Sequence, residues 1–288
     1  MPAPRAILET PMDPLADQSA PKLRAPPGTT DCHIHVYDDT LPLAPTAKFK
    51  PPHATVEQYL KVRKLLGIER TVVVAPTAYG KNNELLLDAM KKIGPSARGV
   101  VVVDETTTDA ELTRLHKLGV RGIRFFMLPG GALGWDIIEP MSARLAEIGW
   151  NIVLQLDGRT FPDHETAISR LKCNVVIDHT GKFLEPVAIN HPSFKCLLKI
   201  LDNDKRWIKL AAPYETSKIG PPHYDDVGAM AKALARHAPD RTIWASNWPH
   251  PNFKPKHAWM LDMLLDWVPD ETARQKVLVD NPARLYGY

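Results

Sequence analysis

From Thr29 onward the chain alternates short β-branched apolar runs with longer stretches whose apolar residues recur at helical spacing. The apolar runs predict strands over 29–35, 70–77, 97–103, 120–126, 150–157, 173–179, 206–211 and 241–246. The amphipathic stretches between them predict helices over 55–67, 82–93, 107–118, 137–148, 163–171, 191–203 and 224–237, with a C-terminal helical pair over 256–267 and 270–279. Thr108-Asp109-Ala110-Glu111-Leu112 reads as a helix start and Leu118-Gly119 as a stop. The strands are continuous apolar runs, as expected of a parallel sheet covered on both faces. Eight strand–helix repeats predict an α/β fold: a single-domain (β/α)8 TIM-like barrel spanning 29–288. A doubly wound sheet is the alternative, but no glycine-rich phosphate turn follows the first strand. Residues 1–28, rich in Pro and Ala and without periodicity, predict an arm outside the barrel.

Composition adds limits. At 288 residues the chain has room for one barrel, which typically takes about 250. A net charge of +3 with no basic run gives no footprint for nucleic acid, but it suits a small anionic partner. The longest apolar runs, such as Val100-Val101-Val102-Val103, are of strand length, so no membrane span is expected. No charged start followed by an apolar core opens the chain, so no secretory signal is expected. Cys32, Cys173 and Cys196 are an odd, sparse set without Cys-x-x-Cys spacing, which predicts a reducing, cytoplasmic setting rather than a disulfide framework. Cys32 reads as packing.

In a barrel, functional groups stand at the C-terminal ends of the strands. Thr30-Asp31-Cys32-His33-Ile34-His35 puts two imidazoles at i, i+2, hence on one face of an extended strand. An isolated His-x-His is more often a chance pair. Here the later strand ends also carry chemistry. Thr77 and Tyr79 follow strand two, Asp104 strand three and Arg124 strand four. Gln155, Asp157 and Arg159 end strand five, and His179, Thr180 and Lys182 end strand six. Lys209, Tyr214, Glu215 and Ser217 accompany strand seven, and Asn247, Trp248 and His250 end strand eight. Arg124 in Gly122-Ile123-Arg124-Phe125-Phe126 is a fixed cation on an otherwise apolar strand, able to fork onto a carboxylate. On a regular strand Asp178 points away from His179, so it receives no catalytic role.

His33 and His35, then Ile177-Asp178-His179-Thr180-Gly181, then Ser246-Asn247-Trp248-Pro249 together resemble the amidohydrolase superfamily, and within it the metal-independent, lactonase-like branch. The resemblance covers about residue 29 to 288. It implies the barrel and a site made of His33, His35, His179 and the strand-eight position, here Asn247. Metal-dependent members add a bridging Lys or Glu, a further His and an Asp; Arg124, Gln155 and Asn247 stand in those places. Arginine has no lone pair and amide carbonyls are poor zinc ligands, so no metal and no other cofactor is expected.

By the same resemblance, the histidines orient and polarise a lactone carbonyl as donors, and His179 shuttles the proton. Asn247 binds a substrate hydroxyl and Arg124, with Lys209, holds a carboxylate. Gln155, Asp157, Tyr214, His250 and Thr77 complete the substrate site. In the hydrolytic relatives an Asp at the strand-eight position activates water, which an amide cannot do. A lactone polarised without water activation is open to its own neighbouring hydroxyl, so the resemblance implies isomerisation of a sugar-diacid 1,5-lactone to the 1,4-lactone. Hydrolysis using Asp157 or His250 as base is the first alternative. A decarboxylase and a non-catalytic sugar-acid binder are weaker ones.

Overall fold

The computed structural model describes residues 19–251, 253 and 255–288. Its centre is one eight-stranded sheet in sequential order: β1 (Thr30–Ile34), β2 (Arg70–Val74), β3 (Ala97–Val101), β4 (Val120–Phe126), β5 (Asn151–Gln155), β6 (Asn174–Ile177), β7 (Arg206–Leu210) and β8 (Thr242–Trp244). Each successive pair is parallel. Between the strands run α1 (Val56–Leu66), α2 (Glu84–Ile93), α3 (Asp109–Lys117), α4 (Trp135–Glu147), α5 (Phe161–Arg170), α6 (Pro192–Leu201) and α7 (Asp225–His237). Strand residues are almost all buried, as the unbroken apolar runs require of a sheet sheathed by helices. The result is a nearly closed (β/α)8 barrel.

The sheet rolls up because β8 meets β1 just beyond its end. Ile34 bridges Trp248 in parallel, the His35 amide donates to the Trp248 carbonyl at 2.8 Å, and the Asn247 amide donates to His33 O at 3.0 Å. Asp31 fastens the same seam from inside. Its carboxylate accepts from the Ser246 amide at 2.9 Å, the Ser246 hydroxyl at 2.5 Å and the Tyr59 hydroxyl at 3.2 Å. Burial pushes the Asp31 carboxyl up to about 6, against those bonds.

Helix ends follow from local chemistry. Thr55 and Gln58 form a reciprocal capping box on α1, which stops at Gly67 in the left-handed region. Thr108 caps α3 through the Glu111 amide, at the start read from the sequence.

Two differences from the pattern matter. Several strands end two or more residues early, because the chain tips into single 3-10 turns at Thr77–Tyr79, Gly158–Thr160, His179–Gly181 and Pro213–Glu215. These turns are largely buried, so their composition does not announce the break. The C-terminal pair is also longer and more broken: His257–Asp262 and Leu264–Trp267 precede Glu271–Gln275, a π-helical turn at Lys276–Asp280, and Asn281–Tyr286. Of the expected arm, residues 1–18 lie outside the described residues. The remainder rests on the barrel, with the Leu23 amide on Asp262 and the Gly28 amide on Glu69, both at 2.9 Å. Among the described residues no helix is long and apolar enough to cross a membrane.

Candidate active site

A cavity of about 310 Å³ opens at the C-terminal ends of the strands. Its polar wall includes His35, Thr77, Arg124, Gln155, His179 and Asn247, with Lys182 and Glu215 beside them. Tyr37, Phe49, Phe126 and Phe253 supply much of its apolar wall.

The three histidines converge at the end of β1, with the His33 and His179 ring centres 4.9 Å apart. Burial holds His33, His35 and His179 well below the usual histidine range, so all three are neutral; Lys209 presses His33 further down and Arg124 presses His35. The hydrogen bonds then fix two tautomers. His35 Nδ1 lies 2.7 Å from the Val74 carbonyl, which only accepts, so Nδ1 carries the proton and Nε2 a lone pair. His33 Nε2, 3.1 Å from that lone pair, must therefore donate. This leaves His33 Nδ1 to accept from Lys209 Nζ at 3.1 Å. Both N–H groups of this pair are spent inside the protein. His33 does not line the cavity, and neither residue offers the donor the motif promised. His179 does: it faces the cavity, and its buried Nδ1 has no protein partner.

Under the histidines lies a buried ion pair. Lys209 Nζ donates to Asp178 Oδ1 at 2.7 Å, and both side chains are fully buried. Burial works against the Asp178 charge, yet the Lys209 ammonium holds the carboxylate well below the usual range. Two expectations fail here. Asp178 points inward, with Oδ1 3.4 Å from His33 Nδ1, because β6 ends at Ile177 and strand alternation ends with it. Lys209 is committed to this pair and does not reach the cavity, so it is no carboxylate anchor.

Arg124 does reach it. One terminal nitrogen donates to the Ala75 carbonyl at 2.9 Å and the other to Gln155 Oε1 at 3.1 Å, while its buried Nε has no protein partner. The bond to Oε1 turns the Gln155 amide nitrogen away from Arg124. Register places Arg124 on β4 beside Val153 of β5, two residues before Gln155.

Asn247 closes the circle. Its Nδ2 donates to Tyr214 Oη at 2.8 Å and to Glu215 Oε1 at 3.0 Å, and its buried Oδ1 has no protein partner. Tyr214, having accepted from Asn247, donates to His250 Nδ1 at 2.8 Å, and His250 Nε2 continues to His257 Nδ1 at 3.3 Å. Glu215 is also ion-paired with Lys182. Burial pulls the Lys182 ammonium down to about 8, with the charge of Asp178 working the other way and that of Arg124 adding to the fall.

The loop backbones are shaped for this. His179, Thr180, Lys182, Asn247 and His250 are non-glycine residues in the left-handed region. The loops after β5 and β6 touch so closely that a Cβ on Gly158 would lie 2.5 Å from the Gly181 carbonyl, and the Gly158 amide donates to Lys182 O at 3.1 Å.

Of the expected substrate residues, Thr77, Arg124 and Gln155 line the cavity. Tyr214 and His250 stand behind Asn247 and do not line it. Asp157 lies aside, gripped by Arg159 with contacts of 2.5–3.1 Å. Sequence reasoning gave Glu215 no role, although it stood among the strand-seven groups. Phe49 and Lys48 were missed altogether, because the Pro-rich segment after β1 carries no periodicity. Cys32 is fully buried, and all three cysteines are unpaired.

The profile of the Amidohydrolase family matches residues 30–288, so the chain belongs to the amidohydrolase family. It is similar to the D-galactarolactone isomerase of Agrobacterium fabrum, 33% identical over 275 residues covering 93% of this chain and 94% of that one. It is equally similar to the 2-pyrone-4,6-dicarboxylate hydrolase of Comamonas testosteroni, 33% identical over 290 residues covering 96% and 95%. An apo crystal structure from Agrobacterium tumefaciens superposes with a TM-score of 0.88 at 33% identity, covering 93% of this chain and 99% of that chain. The named relatives are lactone-processing enzymes, both isomerase and hydrolase.

Proposed function

We propose that this chain is a cytoplasmic lactone isomerase of uronate catabolism, converting D-galactaro-1,5-lactone to the 1,4-lactone by intramolecular acyl transfer. The observation that carries the reading is Asn247. The position at the end of β8 that holds the water-activating Asp in hydrolytic relatives is an amide, pinned by Tyr214 and Glu215 and unable to take a proton from water. The rest of the site suits a carboxylated lactone. Arg124, with Gln155 and Thr77, holds the distal carboxylate; a charge-assisted bond of this kind contributes about 1.5–3 kcal/mol. The His179 N–H and the Lys182 ammonium face the cavity as donors to the lactone carbonyl and to the oxyanion that follows. Asn247 Oδ1 accepts from a substrate hydroxyl. The substrate's own hydroxyl is the nucleophile, at an effective molarity of ~10⁵ M or more. His33 acts from behind the wall, and His35, whose N–H is held by the Val74 carbonyl, lines the wall without donating to the lactone.

A divalent metal does not fit this donor set. His33, Asp178 and His179 cluster closely enough to share an ion. However, the Lys209 ammonium already sits on Asp178 and on His33 Nδ1, and Arg124 adds a second fixed cation beside His35. Three unpaired cysteines and the absence of a membrane-spanning helix among the described residues support a reducing, aqueous location.

Hydrolysis is the competing reading, favoured by the carboxylate of Glu215 next to Asn247 and by the hydrolase among the relatives. Proton NMR of chelator-treated protein with freshly generated galactaro-1,5-lactone separates the two. The 1,4-lactone appearing ahead of free galactarate supports isomerisation without metal. Direct appearance of the free acid moves the protein to the hydrolases, and loss of turnover on chelation restores a metal. Asn247→Asp is expected to raise hydrolysis at the expense of isomerisation.

A further inference from the structure

The isomerisation leaves one role open. The attacking hydroxyl must lose a proton and the departing oxygen must gain one, and Asn247 can do neither. Resting on the isomerase reading above, we infer that Glu215 is the catalytic acid–base that carries this proton.

Four observations support the assignment. Glu215 is the one carboxylate among the described residues that line the cavity. It stands beside the amide that replaces the usual base, with Asn247 Nδ2 donating to Oε1 at 3.0 Å. Its other oxygen is ion-paired with the Lys182 ammonium, so two donors hold the carboxylate at the cavity wall. The other candidates are spoken for. Asp157 is bound by Arg159 outside the cavity, and His250 receives the Tyr214 hydroxyl on Nδ1. His179 is left as the donor to the carbonyl: burial makes its imidazole weakly basic, despite the nearby Asp178 carboxylate.

Local structure aims the group. Ala212 takes a left-handed conformation after β7, and the turn Pro213–Glu215 then brings Tyr214 and Glu215 to the same amide from consecutive positions. A carboxylate at 247 would sit about 3 Å from Glu215, where like charges hold one of the pair protonated. An amide at 247 and a single carboxylate at 215 are therefore one arrangement.

The step balances without any added reactant. Glu215 takes the proton from the C4 hydroxyl as O4 bonds to C1, and the negative charge passes from the carboxylate to the oxyanion. Lys182, ion-paired with Glu215 and facing the same cavity, stays paired with that charge. The C1–O5 bond then breaks and Glu215 returns the same proton to O5. O4 and O5 are on adjacent carbons, so one carboxylate serves both, and no net proton or electron is exchanged.

The test compares wild type with Glu215→Gln, Glu215→Asp and Glu215→Ala by NMR on the 1,5-lactone, with circular dichroism and lactone affinity as controls for the fold. Glu215→Gln is expected to lose about 10²–10⁴-fold in kcat with KM within a few-fold, and Glu215→Asp to keep part of the activity. Added formate or acetate restores turnover to Glu215→Ala, more strongly as the pKa of the added acid rises, which a merely structural carboxylate would not show. Folded Glu215→Gln with kcat within threefold of wild type overturns the assignment, as does rescue that ignores the pKa of the acid. Wild-type protein that releases only the free acid overturns the isomerase reading instead, whatever the variants do.

Discussion

The two halves of the barrel rim are built differently. After β2 to β5, the groups that face the cavity stand on strand ends or simple turns: Thr77, Arg124 and Gln155 keep ordinary backbone. After β6, β7 and β8 lie all the described non-glycine residues of positive φ, namely His179, Thr180, Lys182, Ala212, Tyr224, Asn247 and His250. Such conformations cost of order 1 kcal/mol each and persist where surrounding bonds hold them. A group that only has to reach a ligand can sit on a regular strand, because the strand already aims it. Groups that must reach one another, such as Asn247 with Glu215, or Asp178 and His179 with His33, need the chain to turn sharply. On the proposed function, the first half would hold the ligand and the second half would carry the chemistry.

The largest test of that contrast is the buried pair in the second half. Asp178→Asn leaves Lys209 charged and uncompensated in the interior, and about 3–5 kcal/mol of unfolding free energy should be lost in denaturant titrations. A loss under 1 kcal/mol would mean that the pair does not organise this side. Arg124→Met probes the other half. It should raise KM for the lactone about 10–100-fold, from a lost contribution of about 1.5–3 kcal/mol, with a smaller change in kcat and little change in melting temperature. If kcat falls more than KM rises, the division between holding and chemistry is too simple.

Acid comes next. His33, His35, His179 and His250 are held below the usual histidine value, chiefly by burial. Below about pH 6.5 the unfolded chain binds protons that the folded chain refuses, so stability falls as pH falls, by up to about 1.4 kcal/mol per unit for each histidine. Asp31, raised to about 6, acts in the opposite sense between about pH 6 and 4, where the folded chain binds the extra proton. The lowered histidines, His116 among them, outnumber Asp31 and predict a melting temperature that drops from pH 7.5 to 5; a flat profile would show that the imidazoles are not held neutral. The smallest effect belongs to Asp157→Asn. Since Asp157 faces Arg159 rather than the cavity, turnover should stay within about twofold and stability within about 0.5 kcal/mol.

Much of this was legible in the order of residues. Continuous apolar runs separated by amphipathic stretches specify a covered parallel sheet, and eight of them specify a barrel, because burial depends on composition along each element. The barrel rule then located the rim, and with it His35, Thr77, Arg124, Gln155, His179 and Asn247 around one cavity. The amide at 247 was visible as a single letter.

What the residues do to one another was decided by the tertiary structure. Strand alternation predicts an outward Asp178 only while the strand continues; β6 ends at Ile177, and the turn brings Asp178 in to Lys209. Two histidines at i, i+2 imply a shared target, yet the Val74 carbonyl and the Lys209 ammonium, 39 and 176 residues away in sequence, assign their protons to the interior. Glu215 gains its place beside Asn247 only because β7 and β8 are neighbours in the sheet. Patterning along the chain encodes which surfaces are buried. Tautomers, ion pairs and the position of a base depend on short-range contacts between distant segments, and those exist only once the barrel has closed.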